Sequence, residues 1–236
     1  MRKRLTASAV AAVASIALLG ASGQAFAGSQ ADTKPAAPSK LTVAAYKAWL
    51  KKTPGAAATL KAFSRLPAAK QTAFVGYLQN PKVYKAFTVS HDGDIPKSGK
   101  KTVRYNKDVT FTSSTTSTAR TVKKVTTVSL STTATERVFD IPVTTVSTQL
   151  AYQTNRDVMT GKGTKVGHKG TNFNAAFAIT PSASSAEPEA NMLDGRTTWT
   201  ATPKFKTVGT KPVKKLQVIT GLGAHSWNAQ LINIGG

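Results

Sequence analysis

The chain has 236 residues and contains no cysteine. This absence excludes disulfide bonds, zinc sites that use thiolate ligands and a lipid-modified cysteine. The folded protein must therefore be stabilised by burial of its core, by a metal or by a partner. An exported chain without cysteine is more typical of Gram-positive bacterial secretion than of passage through an oxidising eukaryotic compartment, so we expect a bacterial protein.

Acidic residues are scarce, with 10 Asp and Glu against 32 Lys and Arg and a formal net charge of +22. Glycosidase chemistry needs two neighbouring carboxylates, and the few acids here are mostly isolated. The sequence has no G-x-S-x-G and no HExxH, and the three histidines (His91, His168 and His225) have no metal-ligand spacing. We therefore expect a protein without enzymatic activity, cofactor or metal.

The first 27 residues have the pattern of a signal peptide. Arg2, Lys3 and Arg4 precede an alanine-rich apolar run that is shorter than a membrane span. Ala25-Phe26-Ala27 is typical of a cleavage site, so we expect cleavage after Ala27, secretion, and no membrane span in the mature form. Residues 28–39 contain little to bury and are interpreted as a disordered linker.

Residues 40–90 are interpreted as a small helical subdomain. Val43, Tyr46 and Leu50 fall on one face of a helix that Pro54-Gly55 ends. Asn80-Pro81 is typical of a cap followed by the first residue of another helix. Ser39 is a candidate cap for the first helix.

Residues 91–94 read His-Asp-Gly-Asp and are the densest group of metal-ligand types in the chain. Oxygen atoms of Asp92 and Asp94 are of the kind that binds Ca²⁺, although the spacing of an EF-hand is absent. The alternative is a turn built on Asp-Gly, which we favour because these residues are common in turns. The three histidines are interpreted in the same way, as surface or loop residues.

Residues 101–236 are interpreted as an all-β domain because apolar and polar residues alternate along most of this stretch. In 103–111 the odd positions are apolar or aromatic, and the same period recurs in 173–179. A change of phase near Thr144-Thr145 indicates a bulge. Polar or Gly-rich segments at 113–117, 167–170 and 181–189 are interpreted as turns or loops. The predicted fold class is mainly β: an antiparallel β-sandwich or jelly-roll-like domain preceded by a small α-helical subdomain.

A basic segment near the C-terminus is the main functional lead, because it has no acidic residue after Asp194. Aromatic rings interleaved with basic side chains suit a polyanion. The alternative is an ordinary strand pair with its aromatic side chains inward and its lysines in solvent. The candidate polyanion-binding residues are Arg196, Trp199, Lys204, Lys206, Lys211, Lys214 and Lys215.

From these features we expect a secreted, monomeric, non-catalytic protein that binds an extracellular or cell-wall polyanion through a basic β-strand surface. Two alternatives stay open. One is a protein-interaction module that binds a secreted protein partner, for example a protease inhibitor that presents the loop at 181–189. The other is a hydrolase whose site is assembled in space from the histidines and acids.

Overall fold

The computed structural model describes residues 38–235. The predicted signal peptide and almost all of the predicted linker lie outside the described residues. Within 38–235, no helix has both the length and the apolar character that a membrane crossing requires.

Four short helices open the described chain, in the region where the sequence predicts them. They are α1 (Val43–Lys52), α2 (Ala57–Ser64), α3 (Ala68–Leu78) and α4 (Pro81–Ala86). The hydroxyl of Thr42, rather than that of Ser39, caps α1 by accepting a hydrogen bond of 3.1 Å from the Ala45 amide. Asn80 caps α4 and Pro81 occupies its first turn, as the sequence predicts.

Twelve strands follow within the described residues and form two antiparallel sheets. Sheet A has the order β1-β12-β11-β10-β8, with β9 also paired to β10, and sheet B has the order β2-β3-β4-β5-β6, with β7 also paired to β5. The strands of sheet A are β1 (Val89–Asp94), β8 (Phe177–Pro181), β9 (Ser185–Glu189), β10 (Met192–Pro203), β11 (Val213–Leu222) and β12 (Ser226–Asn233). Those of sheet B are β2 (Gly99–Arg104), β3 (Val109–Val122), β4 (Val125–Val138), β5 (Ile141–Asn155), β6 (Val158–Met159) and β7 (Lys165–Asn172). The prediction of a mainly β chain with a small helical region before it is confirmed.

Three long neighbouring strands, β3, β4 and β5, form a meander joined by tight turns. Lys123 and Lys124 make the first turn and Phe139 and Asp140 the second, all four with positive φ. Paired positive φ angles match the twist of a hairpin, but such turns usually carry Asn or Gly. Neither turn contains Asn or Gly, so neither could be predicted from its residue types. The turn that we predicted at 113–117 is wrong, because those residues lie in the middle of β3.

Two other predicted loops are also strands in the structure. Residues 167–170 belong to β7, which pairs with β5, and 185–189 form β9, which pairs with β10. Small and polar residues suggested loops there, but partner strands supply the hydrogen bonds. The predicted bulge lies one residue away from its expected place. Glu136 faces Thr144 and Arg137 faces Pro142, so Val143 is the extra residue.

A layer of buried polar side chains crosses the interior of the sandwich, and we call it the polar belt. It comprises Ser113, Thr115, Thr132, Thr148, Thr197 and Gln217, all at most 3% exposed. Gln217 lies at its centre. Its Oε1 accepts hydrogen bonds from Thr148 (3.1 Å) and from the Trp199 indole (3.0 Å). Its Nε2 donates to the carbonyl oxygens of Thr132 and Val146 at 3.3 and 3.2 Å, so one amide joins the two sheets.

Apolar clusters lie on the two sides of the polar belt. The smaller cluster includes Leu130, Leu150, Ile219 and Trp227. The larger one continues into the helices, where Tyr46, Phe63 and Phe74 pack together, and it also contains Phe111, Val146 and Trp199 of the sheets. Because helices and strands share this cluster, the helical region covers one end of the sandwich. About 50 residues would rarely bury enough apolar surface to fold alone.

Candidate functional site

A groove beside α4 is lined by Lys85 and by Lys211 of the basic segment, and we call it the lysine groove. It encloses about 470 Å³ between the start of α4, the connection from β10 to β11 and the end of β12. Lys85, Thr210, Lys211 and Asn233 contribute to its lining, and none of its lining residues within 38–235 is Asp or Glu. Two lysines without an acidic neighbour among these lining residues favour the attraction of an anion.

Four of the predicted lysines are exposed in or near the lysine groove. Lys211 lines it, Lys206 belongs to the short 3-10 helix before it, and Lys214 follows it on β11. Lys204 is exposed two residues before Lys206. The sequence missed Lys85, which reaches the groove from α4 and is distant in the chain from the basic segment.

Arg196 and Trp199 do not join this groove. The guanidinium of Arg196 donates to Asp194 Oδ2 from Nε (3.1 Å) and Nη2 (2.7 Å), and it also forms an ion pair with Glu187. Its charge is therefore already matched. Trp199 is 2% exposed and its indole bonds to Gln217, so it belongs to the core and the alternative we gave for it is correct.

Lys215 is also absent from the surface, being only 1% exposed. It points inward because it shares the phase of Gln217 on β11. Its Nζ donates to Asn233 Oδ1 at 2.7 Å and to the Lys85 carbonyl oxygen at 3.3 Å. The rings of Tyr84 and Phe87 lie 5.1 and 5.8 Å from it. The prediction that Lys215 contacts a ligand in solvent is wrong.

Glu136 of β4 is the buried acid that acts electrostatically on Lys215. It is 1% exposed, and its Oε2 has no hydrogen-bond partner. Burial raises the pKa of Glu136 to about 7, against the opposing effects of the neighbouring Thr144 hydroxyl and of the charge of Lys215. Burial likewise lowers the pKa of Lys215 to about 7, against the charge of Glu136. No salt bridge joins the two within the described chain, so each is costly to ionise.

The histidines occupy three different environments. His91 lies in β1, where its Nε2 contacts Ser113 (2.9 Å) and Thr115 (3.2 Å) beside the Trp227 ring. His91 is 8% exposed and lies in a strand, so the interpretation as a surface or loop residue is wrong for it, and burial lowers its pKa. His168 is exposed on β7, while His225 is exposed in the turn before β12.

A serine–histidine contact is the nearest approach to a hydrolytic arrangement. His168 Nδ1 lies 2.8 Å from Ser184 Oγ, which in turn contacts the Thr197 hydroxyl at 2.9 Å. A nucleophile and a base are thus in contact, but the third group in this hydrogen-bonded series is the hydroxyl of Thr197, which contacts the serine. In a catalytic triad, a carboxylate orients the imidazole.

Residues 91–94 form an edge strand rather than the turn that we favoured. Asp92 and Asp94 are exposed, and Asp94 forms a salt bridge of 3.0 Å with Lys97. Within 38–235, no three His, Asp or Glu side chains converge as a group that could hold a metal ion.

A second concavity lies on the outer face of sheet B and encloses about 420 Å³. Thr116, Ser131 and Gln149 line it as direct cross-strand neighbours. Lys165 is its one charged lining residue in the described chain. This surface offers hydroxyl and amide groups but little charge.

No family model matches the chain, and neither the curated proteins nor the solved structures contain a match to it. The fold alone therefore defines the class, which is a two-sheet antiparallel β-sandwich with a helical cover. Any statement of function has to come from the side chains described above.

Proposed function

We propose that the protein is a secreted, non-catalytic binding protein that takes an anionic polymer of the cell wall or the extracellular space into the lysine groove. The observation that carries this proposal is the convergence of Lys85 and Lys211 on a groove with no Asp or Glu among its described lining residues. Three exposed lysines, Lys204, Lys206 and Lys214, extend the positive surface. Trp199, Lys215 and Arg196 have no part in it.

Binding of this kind rests on the release of counterions from the polymer. Each phosphate contact made by a lysine lowers log K by roughly 0.7 to 0.9 for each unit of log salt concentration. The five lysines named above therefore predict a slope of about −4 if all of them contact the polymer. The slope of affinity against salt concentration therefore gives the number of lysines that contact the polymer.

The test uses the mature protein and a teichoic-acid-type polyphosphate, with affinity measured at several salt concentrations. Changing Lys204, Lys206, Lys211 and Lys214 together to glutamine should lower the affinity and flatten the slope. A matched control changes four exposed lysines elsewhere, Lys100, Lys101, Lys162 and Lys165. Both variants lose the same charge, so only a local effect distinguishes them.

The control lysines lie toward the other end of the sandwich. Gly99, next to Lys100, faces the Trp227 ring, whereas Asn233 at the far end of β12 lines the groove. The stretch of β12 from Trp227 to Asn233 separates these ends by about 20 Å, at roughly 3.3 Å per residue. Equal losses in both variants would indicate attraction by net charge alone and would contradict a site at the groove.

A hydrolase is the second candidate because of the contact between His168 and Ser184. Ester and peptide substrates are the appropriate panel. Turnover that disappears in both Ser184→Ala and His168→Gln would favour the hydrolase over the binding protein. Inhibition of a protease is a weaker alternative, since β9 ties most of the 181–189 segment to β10.

A further inference from the structure

The interior beneath the lysine groove contains an amine and an amide in contact. Lys215 and Asn233 are directly opposite on β11 and β12, and the Lys215 Nζ lies 2.7 Å from Asn233 Oδ1. The carbonyl oxygen of Lys85 accepts hydrogen bonds from both side chains, at 3.3 Å from Lys215 Nζ and 2.9 Å from Asn233 Nδ2. One backbone oxygen thus holds the two side chains together.

The surroundings of Lys215 are those of a neutral amine. Its side chain is buried against the Tyr84 and Phe87 rings, and it has no carboxylate partner in the described chain. Burial lowers its pKa to about 7, so most of the amine is uncharged at pH 8. An uncharged amine has a free lone pair and is a nucleophile.

From this geometry, we propose that the Lys215 amine attacks the Asn233 side-chain carbonyl and forms an intramolecular isopeptide bond between β11 and β12. The bond between Lys215 Nζ and Asn233 Cγ forms, and the bond between Cγ and Nδ2 breaks. Nζ loses one proton, Nδ2 gains one, and ammonia leaves. Atoms and electrons balance without any oxidant, reductant or cofactor.

The structure provides an exit for the ammonia and surroundings in which the amine is neutral. Asn233 lines the lysine groove, which gives the ammonia a direct route to solvent. Burial, and not Glu136, favours the neutral amine, because the charge of an ionised Glu136 raises the pKa of Lys215.

The product would be a covalent cross-link in a chain that has no cysteine. Lys215 and Asn233 lie at the end of the β11–β12 pair opposite to the turn at Gly223. A bond at this point closes a ring around the hairpin and fastens the last strand to sheet A. Disulfides do the same in other small secreted proteins.

The first measurement is the intact mass of the purified protein after incubation at pH 8. The unsubstituted protein should be lighter than its sequence mass by one ammonia molecule. Lys215→Arg and Asn233→Ala should both have their full sequence masses. A full sequence mass for the unsubstituted protein would overturn the proposal.

Digestion with trypsin locates the mass loss. Without the bond, cleavage after Lys215 releases peptide 216–236 at its full mass. With the bond, cleavage at Lys215 is blocked, and peptide 215–236 appears with the mass of one ammonia missing. A loss of ammonia that persists in Lys215→Arg would place the reaction at another residue and would equally overturn the proposal.

Discussion

The replacement of Gln217 by methionine tests whether the polar belt joins the two sheets. Methionine has a similar length but neither donates nor accepts the four hydrogen bonds that the Gln217 amide makes. The Trp199 indole N–H and the Thr148 hydroxyl would both remain buried without a partner. Each orphaned donor costs about 1 to 3 kcal/mol, so we expect a loss of about 3 to 5 kcal/mol in the free energy of unfolding.

Urea denaturation of each variant, followed by fluorescence of the buried tryptophans, measures this loss. Gln149→Met is the control, because Gln149 lies on the outer face of β5 and is exposed. We expect that change to alter stability by less than about 0.5 kcal/mol.

A double-mutant cycle separates the orphaned hydroxyl from the lost packing. Thr148→Val removes one of the donors that Gln217→Met would leave without a partner. The double variant should therefore lose less stability than the two single variants added together, by about 1 kcal/mol or more. Strict additivity, or a cost of Gln217→Met below about 1 kcal/mol, would refute the view that this amide joins the sheets.

Three further predictions concern the core. Trp199→Ala should lower stability by about 3 to 5 kcal/mol in a melting curve and leave the salt dependence of polymer binding unchanged. Gly170→Ala should be destabilising by about 1 to 3 kcal/mol, because a Cβ there would lie 2.9 Å from the Trp199 ring. Gly167→Ala is the control and should be nearly neutral, because its Cβ would have no neighbour closer than 3.7 Å. In a Lys215→Met background, stability should fall by about 2 kcal/mol as the pH rises from 5 to 7, because burial raises the pKa of the Glu136 carboxyl in the folded state. Adding Glu136→Gln should abolish that fall.

The class of fold was predictable because alternation of apolar and polar residues reports directly on the two faces of a strand. The strands containing Phe111, Trp199 and Trp227 were found in this way. The long strands were harder to delimit, because Ser113 and Thr115 face the interior although their polarity suggests a turn. Threonine suits a strand by its branched Cβ, and polarity alone cannot distinguish a belt residue from a loop residue.

The candidate site was only partly predictable for a related reason. Lys215 and Glu136 occupy inward positions in their strands, so their phase relative to Gln217 and Ala134 carried the signal that they are buried. We assigned Lys215 to the surface because it is charged, although its position in the alternating pattern of β11 indicates that it faces inward. Lys85 could not have been grouped with Lys211, because only the docking of α4 on the sandwich brings them to one groove.

The pairing of β1 with β12 sets the order in which the two sheets can be completed. The β3, β4 and β5 strands are consecutive hairpins and need only short-range contacts, so they can form early. Sheet A differs, because Val89 pairs with Leu231 and this pairing must wait until the chain has been synthesised beyond residue 231. Loss of β12 alone would leave both β1 and β11 with an unpaired edge. A short deletion at this end should therefore cause aggregation out of proportion to its length.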